Sequence, residues 1–151
     1  MSKDVRLEDV TAANWRAVAS LKLADDQRSL LASNVYSIAQ SKFDEAAQPR
    51  AIYAGDDVVG FLMYDVPEVE DDEQFVAIYR FMVDKDHQGK GYGRAALAKA
   101  IAEIRDIPGI EKICISYVRN NARAKDFYAS FGFVELPSGK DDYELSAELV
   151  L

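Results

Sequence analysis

Apolar and polar positions along this chain follow two different periods, and the changes of period predict its elements. Apolar and polar residues alternate from Val5 to Val10, as they do in a half-buried strand. The residues from 27 to 43 instead show helical spacing. Their apolar face comprises Leu30, Leu31, Val35, Ile38 and Ala39.

The same patterns divide the rest of the chain in the order β-α-α-β-β-β-α-β-α-β-β. Thr11 is the expected N-cap of the first helix, and Pro49 marks the break after the second. Helices are predicted to begin near residues 11, 27, 91 and 121. Strands are predicted at 5–10, 50–54, 58–65, 73–83, 111–118, 133–136 and 143–149.

Three glycines alternate within five residues between a predicted strand and a predicted helix. The apolar run Ile78 to Val83 precedes them, and helical spacing from Ala95 to Ile104 follows. The first turn of a helix has N–H groups without intrahelical partners and a partial positive charge. Because glycine permits positive φ and a close approach of the backbone, this loop is predicted to bind a phosphate or pyrophosphate.

Two common phosphate-binding motifs do not fit this loop. A P-loop requires Gly-Lys-Ser/Thr, which does not occur. Gly89 to Arg94 reads G-x-G-x-G-x, so its third glycine is misplaced for a dinucleotide fingerprint. Gln88 to Gly93 reads Q-x-x-G-x-G, which closely resembles the acetyl-CoA pyrophosphate loop of the GNAT superfamily of N-acetyltransferases.

A second motif strengthens the resemblance. Residues 121–133 match N-x-x-A-x-x-x-Y-x-x-x-G-F, with Asn121 near a helix start and Gly132 as its C-cap. About two helical turns separate Asn121 from Tyr128, so both lie on one face. In GNAT enzymes the Asn contacts the CoA arm and the Tyr points at the thioester sulfur, and the resemblance implies these roles here.

The element order is also that of GNAT proteins, so the resemblance covers residues 1–151 as one domain. It implies an α/β (α+β) fold whose central mixed, mostly antiparallel twisted sheet has about seven strands, flanked by about four helices and splayed between strands 4 and 5. The edge of the fourth strand is expected to pair with the pantetheine arm. A bulge near Phe81 is expected to leave a backbone N–H for the acetyl oxygen. The expected acetyl-CoA contacts are Phe81, Met82, Val83, Gln88, Gly89, Lys90, Gly91, Tyr92, Gly93, Arg94, Asn121, Ala124 and Tyr128.

The resemblance makes Tyr128 the general acid for the CoA thiolate but leaves the general base open. An alkylammonium has a pKa near ~10, so the acceptor must lose a proton before it attacks. Many relatives carry a carboxylate where this chain has Tyr79 or Arg80, neither of which is acidic. Glu73 at the strand start, a nearby loop acid acting through water, and water alone remain candidates.

Charge extends the prediction to the acceptor. The net charge of −8 argues against nucleic acid as a partner and is compatible with a cationic small substrate. Residues 68–73 contain five carboxylates, which form either a solvated loop or an electrostatic funnel for a polycation. These carboxylates are Glu68, Glu70, Asp71, Asp72 and Glu73.

Parts of the first half and of the fourth strand are similar to the bacterial spermine/spermidine (diamine) acetyltransferase branch. These stretches are 27–34, 49–51, 59–64 and 79–84. The resemblance implies acetyl-CoA-dependent transfer to a primary amine of a small polyamine, such as spermine or spermidine, by direct attack in a ternary complex. The alternatives are acetylation of a protein N-terminus, a lysine or an aminoglycoside, and a non-catalytic acyl-CoA-binding sensor.

The remaining composition gives expectations about location and partners. The chain has no run of ~18 apolar residues and begins with polar residues, so neither a membrane span nor a signal peptide is expected. The single cysteine, Cys114, is expected to be a buried structural thiol in a cytoplasmic protein. The lone His87 has no metal-ligand spacing around it, so no metal is expected. The expected partners are a small-molecule amine and a second copy of the chain in a homodimer, with no nucleic acid or membrane.

Overall fold

The computed structural model describes residues 4–23, 33–68 and 74–151. Its strands are β1 Val5–Asp9, β2 Ala47–Ala54, β3 Asp57–Asp65, β4 Phe75–Val83, β5 Lys112–Val118, β6 Val134–Glu135 and β7 Glu144–Val150. Its helices are α1 Trp15–Ser20, α2 Asn34–Ser41, α3 Tyr92–Arg105 and α4 Ala122–Ala129. A 3-10 turn, Lys85–His87, connects β4 to the loop before α3.

The seven strands form one sheet in the order β1-β2-β3-β4-β5-β7-β6. Neighbouring strands are antiparallel except for β4 and β5, which are parallel. These two pair only between Phe75–Ile78 and Lys112–Ile115, and their remaining residues have no register partners in each other. The mixed α/β fold and the splay between the fourth and fifth strands are therefore confirmed.

The α3 helix anchors one face of the sheet. Its buried side chains recur at helical spacing and belong to the larger apolar cluster, which also contains Val76 and Ile78 of β4. Burying each large side chain contributes about 1.5–3 kcal/mol, so this face fixes the helix start beside the splay. The buried apolar residues of α3 are Tyr92, Ala96, Leu97, Ala100, Ile101 and Ile104.

A bulge in β4 redirects its side chains. Met63 pairs with Arg80 whereas Tyr64 pairs with Ile78, so Tyr79 is the extra residue. The bulge thus lies two residues before Phe81, near which it was expected. Both Tyr79 and Arg80 are directed to the α1–α2 side. Tyr79 packs on a smaller apolar cluster that includes Val18 of α1 and Met63 of β3, and Arg80 Nε donates to Ser37 Oγ of α2 at 3.1 Å.

Both N-terminal helices begin later than predicted. Thr11 is not a cap: it begins a turn in which its N–H donates to Asn14 Oδ1 at 2.8 Å, and α1 starts at Trp15. Ser33 has an extended backbone with ψ 154°, and its hydroxyl accepts from the Tyr36 N–H. An extended residue at position 33 cannot lie inside a helix, so the prediction of one continuous helix over 27–43 is wrong. Residues 24–32 lie outside the described segments.

Pro49 and Cys114 also differ from expectation. Pro49 lies inside β2, which begins at Ala47. The strand tolerates a proline at this position because β1 pairs with β2 only from Arg50 onward. The missing N–H of Pro49 therefore costs no hydrogen bond to β1. Cys114 is only partly buried, since the alternation of β5 turns Ile113 and Ile115 into the core instead.

Candidate active site

The divergence of β4 and β5 opens a cavity of about 420 Å³. The ends of both strands, the glycine-rich loop and helices α3 and α4 form its walls. Every residue predicted to contact acetyl-CoA lines this cavity except Lys90, which is exposed. The other lining residues are Leu23, His87, Ser116, Tyr117, Val118, Arg123 and Phe127.

The glycine-rich loop presents backbone to open space. Gly89 and Gly91 have φ of 77° and 82°, and Gly91 occupies the N-cap position of α3. A side-chain carbon built at either glycine would meet nothing within 4 Å. The first N–H groups of α3 have no intrahelical partner. This arrangement fits the predicted anion cradle.

Gln88 and Asp84 hold the loop in place. The Gln88 amide donates to the Val83 carbonyl at 3.0 Å, which fastens the loop to the end of β4. The Asp84 carboxylate accepts from the Lys22 N–H at 2.8 Å and contacts His87 Nδ1 at 3.1 Å. Although burial opposes ionisation, these hydrogen bonds and that of the Asp86 N–H lower the pKa of Asp84. The sequence motifs missed this role of Asp84, whose signal was its position directly after β4.

Aromatic rings form the wall between β4 and α4. Phe81 and Phe127 meet edge to face with their centroids 6.1 Å apart. The Arg94 guanidinium lies 4.9 Å from the Phe131 ring centroid and donates to Ser130 Oγ at 2.8 Å. These contacts hold a positive charge at the cavity rim, where it favours a phosphate.

Tyr128 lies on α4 at the inner side of this cavity. Asn121 Oδ1 accepts from the Ala124 N–H at 3.1 Å, so the predicted N-cap of this helix is confirmed. The Tyr128 ring stacks on Tyr117, with centroids 6.0 Å apart, and packs edge to face on Phe133. Burial raises the pKa of Tyr128 to about 12. The hydroxyl therefore stays protonated at neutral pH and can donate a proton.

A second cavity, of about 640 Å³, lies at the end of β3, the start of β4 and the loop before β2. It is strongly acidic and has aromatic walls. Glu68 lines this cavity, while the predicted residues Glu70, Asp71, Asp72 and Glu73 lie outside the described segments. Sequence motifs missed the other acids because they are scattered along the chain. The lining comprises Phe43, Asp44, Glu45, Ala46, Asp65, Val66, Pro67, Glu68, Phe75 and Ala77.

Within residues 4–23, 33–68 and 74–151, no helix is long and apolar enough to cross a membrane. In the same segments, no three His, Cys, Asp or Glu side chains are grouped so as to hold a metal ion. The absence of a metal in the protein stays a prediction.

A mixed sheet splayed at a parallel strand pair, with a helix N-terminus and a tyrosine hydroxyl at the splay, is an arrangement suited to acyl transfer. The Acetyltransferase (GNAT) family matches residues 15–133, and the chain belongs to this family of enzymes. It is 30% identical over 132 residues to the spermine/spermidine N(1)-acetyltransferase of Bacillus subtilis strain 168. The probable spermine N(1)-acetyltransferase of Bacillus subtilis subsp. natto shows the same identity, and each match covers 85% of this chain and 87% of the relative.

The fold is also that of solved acetyltransferases. The spermidine N-acetyltransferase of Vibrio cholerae, crystallised with CoA and spermine, superimposes with a TM-score of 0.77. The match covers 97% of this chain and 95% of that one, at 16% sequence identity. At this identity the similarity supports the fold.

Proposed function

We propose that this acetyltransferase moves the acetyl group of acetyl-CoA to a primary amine of a small polyamine such as spermine or spermidine. The observation that carries the proposal is the splay cavity, in which a backbone anion cradle and a protonated Tyr128 lie on the walls of one space. The pyrophosphate of acetyl-CoA would bind at the anion cradle, and its thioester would lie at the Tyr128 hydroxyl.

The polyamine acceptor rests on two further observations. The Bacillus relatives are named for spermine and spermidine. The second cavity combines carboxylates, which attract ammonium groups, with Phe43 and Phe75, which suit the methylene segments between them. We propose that the acceptor's distal ammonium groups enter this cavity, and that Glu68 and the acids at 70–73 add to the negative field that attracts them.

The catalytic roles follow from the chain's own groups. The N–H groups of Gly91, Tyr92 and Gly93 would bind the pyrophosphate, and the β4 edge at Phe81 to Val83 would pair with the pantetheine amides. The Tyr128 hydroxyl would protonate the departing thiolate as the amine attacks directly in a ternary complex. Tyr79 cannot serve as a base alone, because burial and the nearby Asp65 raise its pKa and keep it protonated.

Thiol release tests the proposed function. The protein should release free CoA, detected with DTNB, in the presence of spermine or spermidine, with a higher kcat/KM than for aminoglycosides or N-terminal peptides. Mass spectrometry should show one added acetyl group on the polyamine. A higher kcat/KM for a peptide or an aminoglycoside would contradict the polyamine assignment, and tight acetyl-CoA binding without turnover of any amine would indicate a sensor.

The place of action and the assembly are also proposals. A cytoplasmic location would supply acetyl-CoA and keep Cys114 reduced. The homodimer and the absence of nucleic acid and membrane partners stay predictions.

A further inference from the structure

We propose that Asp65, acting through the hydroxyl of Tyr79, accepts the proton that the acceptor amine loses before it attacks. The proposal rests on the proposed transfer to an amine, and it assigns the general base that the motifs leave open.

The first observation is an unsatisfied pair of buried polar atoms. The Tyr79 hydroxyl and the Asp65 Oδ1 are both shielded from solvent, and neither has a hydrogen-bond partner among the described residues. Buried polar groups are nearly always paired, so two such atoms in neighbouring strands require an explanation. The two groups nevertheless interact, because the Tyr79 hydroxyl lowers the pKa of Asp65 and the Asp65 carboxylate raises the pKa of Tyr79. A hydroxyl and a carboxylate that interact across neighbouring strands can exchange a proton.

The second observation is their position. Tyr79 is the extra residue of the β4 bulge, two residues before Phe81 of the splay cavity. Asp65, at the end of β3, lines the acidic cavity. Tyr79 lines neither cavity, but its strand borders both, so the pair connects the acidic cavity to the strand that carries Phe81. An amine held by the acidic cavity would pass this pair as it approaches the thioester. The bulge creates this placement, because regular pleating would direct Tyr79 and Arg80 to opposite faces.

The surroundings make the Asp65 carboxylate a stronger base than an ordinary aspartate. Burial raises the pKa of Asp65, and the nearby carboxylate of Asp44 raises it further, whereas Tyr79 and the Arg80 guanidinium oppose these effects. Burial, Asp65 and Asp44 raise the pKa of Tyr79, which Arg80 lowers. The other charged groups lining the acidic cavity are Glu45 and Glu68. A more basic carboxylate and a neutral phenol form a relay in which only the carboxylate changes charge.

The proton transfer balances without another reactant. One N–H bond of the ammonium breaks, and its proton passes to the Tyr79 oxygen while the original phenolic proton passes to Asp65. The amine keeps the electron pair for attack on the acetyl carbonyl, and Asp65 becomes a neutral acid. The proton then leaves through the open acidic cavity to solvent.

A change in acceptor basicity distinguishes this role from a structural one. Asp65→Asn should lower kcat/KM for spermidine at pH 7 by about 10²-fold. It should have little effect with an analogue whose reacting amine is already neutral because of a neighbouring difluoromethylene group. Tyr79→Phe should show the same pattern, and the double variant should lose no more than the worse single variant. Acetyl-CoA affinity should be unchanged in the two single variants and the double variant.

Asp56→Asn is the matched control. It removes the same charge from the exposed β2–β3 turn, and its kcat/KM should equal that of the parent.

Two results would overturn the proposal. An equal loss with both acceptors would show that Asp65 only supports the fold. The second concerns the pH profile. The parent's kcat/KM should fall as the pH drops through the pKa of Asp65. If Asp65→Asn shows the same fall in kcat/KM at low pH, the base is another group.

A titration of the free enzyme separates this proposal from the polyamine assignment. The 13C shift of the Asp65 carboxyl should report a pKa above the usual ~3.9, and Tyr79→Phe should change it. An ordinary pKa that Tyr79→Phe leaves unmoved would exclude the relay, whichever amine is the acceptor. Failure to acetylate polyamines, with this titration as expected, would instead remove only the polyamine assignment.

Discussion

Three tyrosines near the splay have pKa values raised by burial, yet their hydroxyls have different partners. The Tyr117 hydroxyl donates its proton to a hydrogen bond with Glu135 Oε1 at 2.7 Å, so this proton is not directed into the cavity. The Tyr79 hydroxyl is directed to the opposite side of the sheet, toward Asp65. Tyr128 is left as the hydroxyl with the position and protonation state of a proton donor to the splay cavity.

Tyr128→Phe should lower kcat by about 10²-fold while leaving acetyl-CoA affinity nearly unchanged. The ring contacts with Tyr117 and Phe133 persist in the variant, so the loss falls on the step in which the thiolate leaves. Steady-state kinetics combined with calorimetric binding of acetyl-CoA measure the two effects separately. Tyr117→Phe is the matched control: it removes a neighbouring hydroxyl and should cost far less. A kcat for Tyr128→Phe within about twofold of the parent would remove this residue from the mechanism.

At this scale, the sequence predicts residues that belong to local motifs and misses those that tertiary pairing creates. Tyr128 follows from a motif within one helix. Asp65 carries no motif, and its relation to Tyr79 depends on a β3–β4 register shift that no local pattern encodes. Asp44 likewise joins the acidic cavity only because the loop before β2 folds against the end of β3.

The glycine-rich loop is the element on which acetyl-CoA binding should depend. It connects β4 to α3, and both ends are fixed: Gln88 holds it to β4, and the buried face of α3 holds the helix start. Ligand binding would therefore require little reordering of this backbone, which favours affinity.

Gly91→Val should weaken acetyl-CoA binding by well over tenfold, on the order of 2 kcal/mol or more. The valine side chain would occupy the open space in front of the helix N-terminus, and a β-branched residue is strained at φ 82°. Gly109→Val is a close control, because Gly109 has φ 81°, has equally open space and lies outside the cavity lining. Both variants should lose similar thermal stability, but only Gly91→Val should lose affinity by calorimetry. Unchanged affinity in folded Gly91→Val would refute the cradle.

The element scale also shows where patterns stop being sufficient. The α3 helix and the β4–loop–α3 connection were predictable because a long apolar face and a sharp change of period mark them. The start of α2 was not predictable, because the apolar spacing of the sequence continues upstream of Ser33, whereas the backbone of Ser33 itself is extended and caps the helix. Pro49 misled for a related reason: its effect depends on whether a neighbouring strand needs its N–H, which the registers with β1 and β3 determine.

Across the whole molecule, the two cavities have opposite charge. Arg94 and Arg123 line the first, in keeping with phosphate binding, although the chain carries a net charge of −8. The carboxylates of Asp44, Glu45, Asp65 and Glu68 line the second. This separation would direct an anionic donor and a cationic acceptor to different ends of the site.

Neutralising the acids around the second cavity should therefore impair capture of a polycation more than that of a monoamine. Asp44→Asn/Glu45→Gln/Glu68→Gln should raise KM for spermine by roughly tenfold at low salt, with a much smaller rise for a monoamine of similar reactivity. Acetyl-CoA affinity should change little, because its phosphates bind at the first cavity. Added salt should reduce the difference, since exposed charges are screened within about 10 Å at 0.1 M. Neutralising Glu70, Asp71 and Asp72 should likewise raise KM for spermine more than KM for the monoamine.

The control triple Asp56→Asn/Asp106→Asn/Asp141→Asn removes equal charge from exposed positions outside both cavities. If both triples raise the spermine KM equally, the field of the whole protein attracts the acceptor and the second cavity has no special part in its capture.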